Sequence, residues 1–338
     1  MSVTFGIFTD LHVDIMHDTQ ERLECFLEHC RRENVDFIIQ LGDFCYPDAN
    51  RKCVCAPQNR PINIENALRV KTYADKDRII SLFRQFKKPS FHVLGNHDCD
   101  MCSKQEILDY YGMTGPSYYS FDLGGWHFVV LDPNYYCLDG QYISFENGNY
   151  FDESYRKERI LPYLPPEQLH WLEQDLAHTA LPTVLFSHQS LAETFPSGIL
   201  NAAELKHLLK RSSARVIASF NGHNHVDSVT SEDDIWFIGV NSMSNQWLDV
   251  AYTCPERYTK EIDEKYPNIK YTVPYRDPVY AIVTLDRDSI HIQGTQSEFV
   301  GPSPEELGVY QNVKWFQKKG IRQTAAIEDR CLPICLPK

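Results

Sequence analysis

Short apolar runs, each ending on a glycine, an acid or a histidine, recur along the chain. Val3–Thr9 is apolar on both faces, as a buried strand requires, and Phe37–Leu41 and Phe91–Leu94 repeat the pattern. Between the first two, Leu23, Phe26, Leu27 and Cys30 fall at i, i+3, i+4 and i+7, which predicts an amphipathic helix. The polar, Cys- and Pro-containing segment 45–61 reads as an irregular loop, and 62–86 as mostly helix. Lys104–Tyr111 reads as a short helix closed by Gly112. Ser117–Leu123 and Trp126–Asp132 alternate on either side of Gly124-Gly125, a hairpin signal. Pro133–Pro165 has no period and reads as one long functional loop.

Pro166 opens a helix whose stripe is Leu169, Leu172 and Leu176. Thr183–Ser187 reads as a strand, and Asn201 with Glu204 as a capping-box start to a helix through Lys210. Strands follow at Arg215–Phe220, Ile235–Asn241, Tyr280–Asp286 and Ser289–Gln293, with a surface excursion over Cys254–Asp277. Alternating strands and helices followed by hairpins predict an α/β chain. Two mixed β-sheets pack face to face with helices outside, a four-layer αββα sandwich. Residues 1–296 read as one domain, because any cut separates the clusters described next, and 297–338 as a C-terminal capping tail.

Five strand ends carry polar signatures: Asp10-Leu11-His12, Gly42-Asp43, Gly95-Asn96-His97-Asp98, Ser187-His188 and Gly222-His223-Asn224-His225. In extended chain, residues i and i+2 point the same way, so Asp10 with His12, and His223 with His225, are expected to converge. Neighbours Asn96 and His97 diverge, one toward a metal and one toward a substrate. The preceding glycines allow tight turns and close backbone approach. Imidazole nitrogen with carboxylate oxygen and no thiolate suits Mn, Fe or Zn. One histidine at a strand end is ordinarily structural; five ordered clusters are not. His92 and His127, inside strands, read as packed side chains.

The set D-x-H, G-D, G-N-H-D, a lone H and G-H-x-H resembles the calcineurin-like metallophosphoesterases, near their cyclic-nucleotide phosphodiesterase and manganese-dependent ADP-ribose/CDP-alcohol diphosphatase branches. The resemblance implies two divalent metal ions (Mn, Fe or Zn). One would be held by Asp10, His12, Asp43 and His225, and the other by Asp43, Asn96, His188 and His223, with Asp43 bridging. It implies cleavage of a phosphoester or phosphoanhydride bond by a metal-bridging hydroxide, with His97 and Asp43 as the catalytic residues. His97 would stabilise the transition state or protonate the leaving oxygen. Purple acid phosphatases, which resemble this pattern, carry a tyrosine ligand where this chain has His12. No tyrosinate-to-iron colour is therefore expected. The family's second acid, three residues after the bridging aspartate, is here Tyr46, and Asp98 is a candidate substitute. Alternatives on the same residues are a phosphomonoesterase and a non-catalytic scaffold.

A formal charge of −13 argues against broad nucleic-acid or anionic-membrane binding, though bound ions reverse the field locally for a small phosphorylated metabolite or nucleotide. No apolar run reaches the ~18 residues of a transmembrane helix. Eleven cysteines, an odd number, and no visible secretory signal predict reduced thiols and a cytoplasmic location. Cys45, Cys53, Cys55, Cys99 and Cys102 also have spacings compatible with a structural metal or a disulfide, against plain thiols. Tyr135, Tyr136, Tyr142, Phe145, Tyr150 and Phe151 are candidates for stacking on a nucleobase, and Arg156, Arg159, Arg257 and Arg276 for phosphate contacts.

Overall fold

The computed structural model describes residues 2–13, 15–44, 77–100, 102–151, 161–192, 197–248, 253–254, 257–266, 268–309 and 322–334. The first sheet contains β1 (Val3–Phe8), β2 (Phe37–Gln40), β3 (Ser90–His92), β14 (Ala281–Leu285), β15 (Ser289–Gly294) and β16 (Arg330–Pro333). Its order is β16-β15-β14-β1-β2-β3. β1, β2 and β3 run parallel, and β14 to β16 are antiparallel additions. The tail beyond residue 296 thus supplies an edge strand.

The second sheet contains β4 (Tyr119–Leu123), β5 (Trp126–Val130), β8 (Thr183–Ser187), β9 (Val216–Asn221), β10 (Ser228–Glu232) and β11 (Ile235–Gly239), in the order β10-β11-β9-β8-β5-β4. Its four central strands are parallel. Between β5 and β8 lies a small hairpin, β6 (Tyr135–Leu138) with β7 (Gln141–Ser144). A second small sheet pairs β12 (Asn245–Trp247) with β13 (Thr272–Pro274).

Two-residue periodicity builds the layers. Val3, Phe5 and Ile7 of β1 and Phe37 and Ile39 of β2 face Phe128, Val184, Phe186 and Phe220 of the other sheet. Phe5 stacks on Phe37 at 4.8 Å and meets Phe186 edge-on at 5.8 Å, so aromatic pairs join the sheets. The opposite parity, Phe8 and Ile38, packs against α1 (Thr19–Arg32), α2 (described over 77–84) and α3 (Lys104–Tyr111). On the far side, Val129 and Leu185 pack against α4 (Pro166–His178) and α5 (Ala202–Arg211). The expected four-layer αββα arrangement is the one observed.

Local expectations mostly hold, and the misses have physical causes. Ser103 and Glu106 form a capping box at α3, and Gly112 ends it at φ 68°. Asn201 does not cap α5; its side chain instead bonds both the N–H and the carbonyl of Leu164. The aperiodic segment 133–165 contains the β6–β7 hairpin, and Tyr136 of β6 forms a small core with Phe145 and Tyr150 of the segment that follows. The excursion 254–277 likewise holds buried Thr272, Val273 and Pro274 of β13.

His92 is a packed histidine, as expected. It stacks on Tyr111 at 4.5 Å and lies 4.9 Å from the Phe83 ring. Burial, reinforced by Arg84, holds its pKa down at about 3. The folded protein keeps it neutral while the unfolded chain protonates it below about 6.5, so stability falls as pH drops from 6.5 toward 3. The loss is ~1.4 kcal/mol per pH unit in that window. Urea unfolding of the chelated protein is expected to show a slope in this window to which His92 contributes that amount, and His92→Phe to reduce the slope by as much. An unchanged slope in the variant would contradict the assignment.

Candidate metal centre

The five polar signatures lie beyond the carboxyl ends of β1, β2, β3, β8 and β9, where parallel sheets place their ligands. Backbone bonds lace these loops together. Asp10 N–H donates to the Gly42 carbonyl, His12 N–H to that of Asp43, and Gly222 N–H to that of His188. Asp10 and His12 do converge, but not by extended alternation, whereas His223 and His225 part, one to each of two donor clusters. Asp10, His12, Asp43, His223 and His225 all have positive φ, between 50° and 68°. Such backbone costs of order 1–3 kcal/mol per non-glycine residue and concentrates at functional sites. Gly95 has no room for a Cβ, which would strike the carboxyl and the amide of Asp43. At Gly222 a Cβ would strike the Thr9 hydroxyl.

Asp10, His12 and His225 form one cluster. His225 Nδ1 donates to the Asn245 carbonyl at 2.5 Å, so its Nε2 carries a lone pair, 3.0 Å from Asp10 Oδ1 and 3.3 Å from His12 Nε2. Burial holds the His12 pKa down to about 3 against the pull of Asp43. Burial opposes ionisation of Asp10 too, yet His225 and His188 overcome it and keep the carboxyl well below its ordinary range. Its other oxygen accepts from Thr9 Oγ1 at 2.5 Å and from His223 N–H at 3.1 Å.

Asp43, His188 and His223 form the second cluster. His188 Nδ1 donates to the Leu41 carbonyl at 2.8 Å, and its Nε2 lies 3.1 Å from Asp43 Oδ2 and 3.2 Å from His223 Nδ1. Burial disfavours a charged His188, but Asp43 and Asp10 draw its pKa up to about 9. The two carboxylates thus call for positive charge at this spot, which a divalent ion supplies with release of the proton. Burial, with His188 close by, holds His223 down to about 3. Asn96 completes the picture: its Oδ1 is buried with no hydrogen-bond partner. Six imidazole and carboxylate donors, two ring tautomers fixed by carbonyls and an orphaned amide oxygen together fit divalent metal ions.

His97 stands apart. Its side chain is 14% exposed, whereas those of His12 and His188 are 0% exposed. Asp98 is not its partner. That carboxylate accepts from the N–H groups of Asp43, Phe44 and Gly95 and from the Tyr111 hydroxyl, and so braces the turn. Asp100 is the partner, with Oδ2 2.8 Å from His97 Nδ1. Burial disfavours a charged His97, but Asp100 and Asp43 raise its pKa above the ordinary value. The i+3 spacing in the 3-10 turn His97–Cys99 makes the contact, a cue present in the sequence and assigned there to Asp98. Tyr46 lies outside the described residues.

Trp247 is an aromatic wall that sequence reasoning missed. β12 delivers it beside the centre, 5.3 Å from the His12 ring, 6.1 Å from His225 and 6.5 Å from His97, and leaves it partly exposed. The loop aromatics Tyr136, Phe145 and Tyr150 are buried against one another and present no free stacking face. Arg257 bonds the Val300 and Pro302 carbonyls, and Arg276 pairs with Glu298. Cys99 and Cys102 are buried thiols. Cys45, Cys53, Cys55, Arg156 and Arg159 lie outside the described residues.

Two stacked mixed sheets with paired His/carboxylate clusters at the strand ends define a metallophosphoesterase-type fold and site. The family pattern for calcineurin-like phosphoesterases matches residues 3–227, and the chain belongs to that family. Among solved structures, a dimetal phosphatase from Danio rerio is similar at 16% identity and TM-score 0.57, over 89% of this chain and 99% of that one. GAP50, the anchor in the inner membrane complex of Plasmodium, is similar at 14% identity and TM-score 0.50, over 100% and 90%. No curated protein matches the chain by sequence. Fold and clusters together support metal-dependent phosphoester hydrolysis. Among the described residues, no helix is long and apolar enough to cross a membrane.

Proposed function

We propose that the protein is a dinuclear phosphohydrolase acting on a phosphoester or phosphoanhydride bond of a small phosphorylated metabolite or nucleotide. Asp10, His12 and His225 hold one ion, Asn96, His188 and His223 the other, and Asp43 both. The observation that carries this is the pair of donor clusters, largely buried, within each of which ligand atoms crowd to 3.0–3.3 Å, together with the buried, unpartnered Asn96 oxygen. Such an ion pair polarises phosphoryl oxygens and activates water near neutral pH. Asp43 also accepts the His97 N–H at 2.8 Å, which ties the proton donor to the centre. With Nδ1 committed to Asp100, His97 presents Nε2 to substrate and holds the proton for the leaving oxygen there.

Trp247 favours a substrate with a planar organic group beside the phosphate, as in a nucleotide phosphodiester or diphosphate. The free thiols of the described cysteines fit a cytoplasmic setting. The test is hydrolysis in Mn²⁺ of an aryl phosphate, an aryl phosphodiester and a nucleoside diphosphate ester, with a chelated control. Turnover of the diester or diphosphate, lost on chelation, is expected. Inactivity on all three with metal bound would refute the reading. Trp247→Ala is expected to raise KM about tenfold for aryl and nucleotide substrates, through loss of ~1–3 kcal/mol of stacking. An alkyl phosphoester should be little affected, and equal losses on both would make Trp247 a packing residue only.

A further inference from the structure

We propose that Tyr150, carried by the segment after the β6–β7 hairpin, is a positioning residue that sets both functional groups of the Asn96-His97 turn at once. The proposal rests on the metal-centre reading above and concerns a residue outside every motif of the family resemblance.

The phenol has one proton and two lone pairs. The proton goes to Asp100 Oδ1 at 2.5 Å, and Asp100 Oδ2 accepts from His97 Nδ1 at 2.8 Å. A phenol–carboxylate–imidazole chain results, which fixes the ring of His97 through its Nδ1. On the other side the hydroxyl oxygen accepts from the Asn96 amide nitrogen at 3.4 Å. That contact decides which way the amide faces. With nitrogen on Tyr150, Oδ1 is the end available to an ion, and it is this atom that lies buried and unpaired. One hydroxyl therefore orients a metal ligand directly, and a proton donor both through Asp100 and by its own 3.3 Å contact with His97 Nδ1; it also lies 3.1 Å from the Asn96 carbonyl.

The hydroxyl is held firmly enough to do this. Tyr150 is 3% exposed, stacks on Phe145 at 4.4 Å and 13°, and shares a small core with Tyr136. Its segment is bonded to the turn following His97: Asn147 N–H donates to the Cys102 carbonyl at 2.8 Å, and Gly148 N–H to that of Cys99 at 3.3 Å. Burial first, then Asp100, pushes the phenol pKa well above its ordinary value, so the hydroxyl remains a donor. Tyr136 and Phe145 thereby serve as an anchor for one hydroxyl.

The test uses the full-length protein. Tyr150→Phe keeps the ring and its packing and removes only the hydroxyl. In a calorimetric Mn²⁺ titration, its second ion is expected to bind roughly 10- to 100-fold more weakly, the size of an outer-shell loss. Its kcat should fall by a similar factor while KM stays within about twofold. Asp100→Asn is expected to lower kcat in the parent but to cost nothing further in a His97→Ala background, because it acts through His97. Wild-type Mn²⁺ affinity and kcat in Tyr150→Phe would overturn the proposal. So would an equal loss from Asp100→Asn with and without His97. Should the parent hydrolyse nothing, the hydrolase reading fails. The titration then decides alone: a weakened second ion supports the role of Tyr150, and an unchanged one overturns it.

Discussion

Asp43→Ala is expected to abolish metal-dependent turnover and to leave the protein with at most one ion. The expected loss exceeds the ~10- to 100-fold that removal of an outer-shell partner costs. Asp43 stands in the cluster with His188 and His223, and the proposed function has it reach the other ion as well. Oδ2 lies 3.1 Å from His188 Nε2, Oδ1 accepts the His97 N–H, and its own N–H is held by Asp98. Its backbone sits at φ 51°, packed so closely on Gly95 that no Cβ fits there. Truncation removes a negative charge that faces His188 and His12 and releases the turn carrying His97. Asp43→Asn, which keeps the shape and one carbonyl oxygen, should retain the fold and still lose turnover. Elemental analysis after dialysis against Mn²⁺, with circular dichroism as the fold control, reads both effects. Retention of two ions and of activity in Asp43→Ala would contradict the shared-ligand role.

Removal of metal is expected to lower the thermal midpoint by several degrees, and Mn²⁺ to restore it. A ligand present at about a thousand times its Kd adds about 4 kcal/mol to the stability of the folded state. The site gives a reason for a large effect. Five of its residues hold left-handed backbone, and its lone pairs and carboxylates face one another in a buried space. Without cations that arrangement is a reservoir of strain and repulsion, relieved in part by protonation of His188 between Asp43 and Asp10. The comparison is between chelated and Mn²⁺-loaded protein by calorimetry, with Asp43→Ala alongside. A midpoint indifferent to metal in the parent would argue that the clusters hold no ion.

Much of this architecture was legible in the sequence because it is written in local chemistry. The runs Val3–Thr9 and Phe37–Leu41, apolar on both faces, report buried strands, and the stripe of Leu23, Phe26, Leu27 and Cys30 reports a helix face. Polar signatures at strand ends pointed to the loops that the fold brings together. Contacts set by tertiary geometry were not legible. Convergence of Asp10 with His12 comes from left-handed turns, which composition does not signal. Asp98 and Asp100 are equally acidic neighbours of His97, and only the direction of the 3-10 turn decides that Asp98 braces backbone amides while Asp100 meets the imidazole. Tyr150 and Trp247 lie 53 and 150 positions from His97, on short strands or turns without periodicity. Their hydroxyl and ring reach the site through tertiary packing alone.

Anomalous scattering from manganese-loaded crystals addresses the core of this account most directly. The expected map shows two peaks about 3.5–4 Å apart. Carboxylate oxygens of Asp43 should lie within bonding distance of both. Asp10, His12 and His225 should surround one, and Asn96, His188 and His223 the other. A single peak, or a pair of which Asp43 reaches only one, would contradict it.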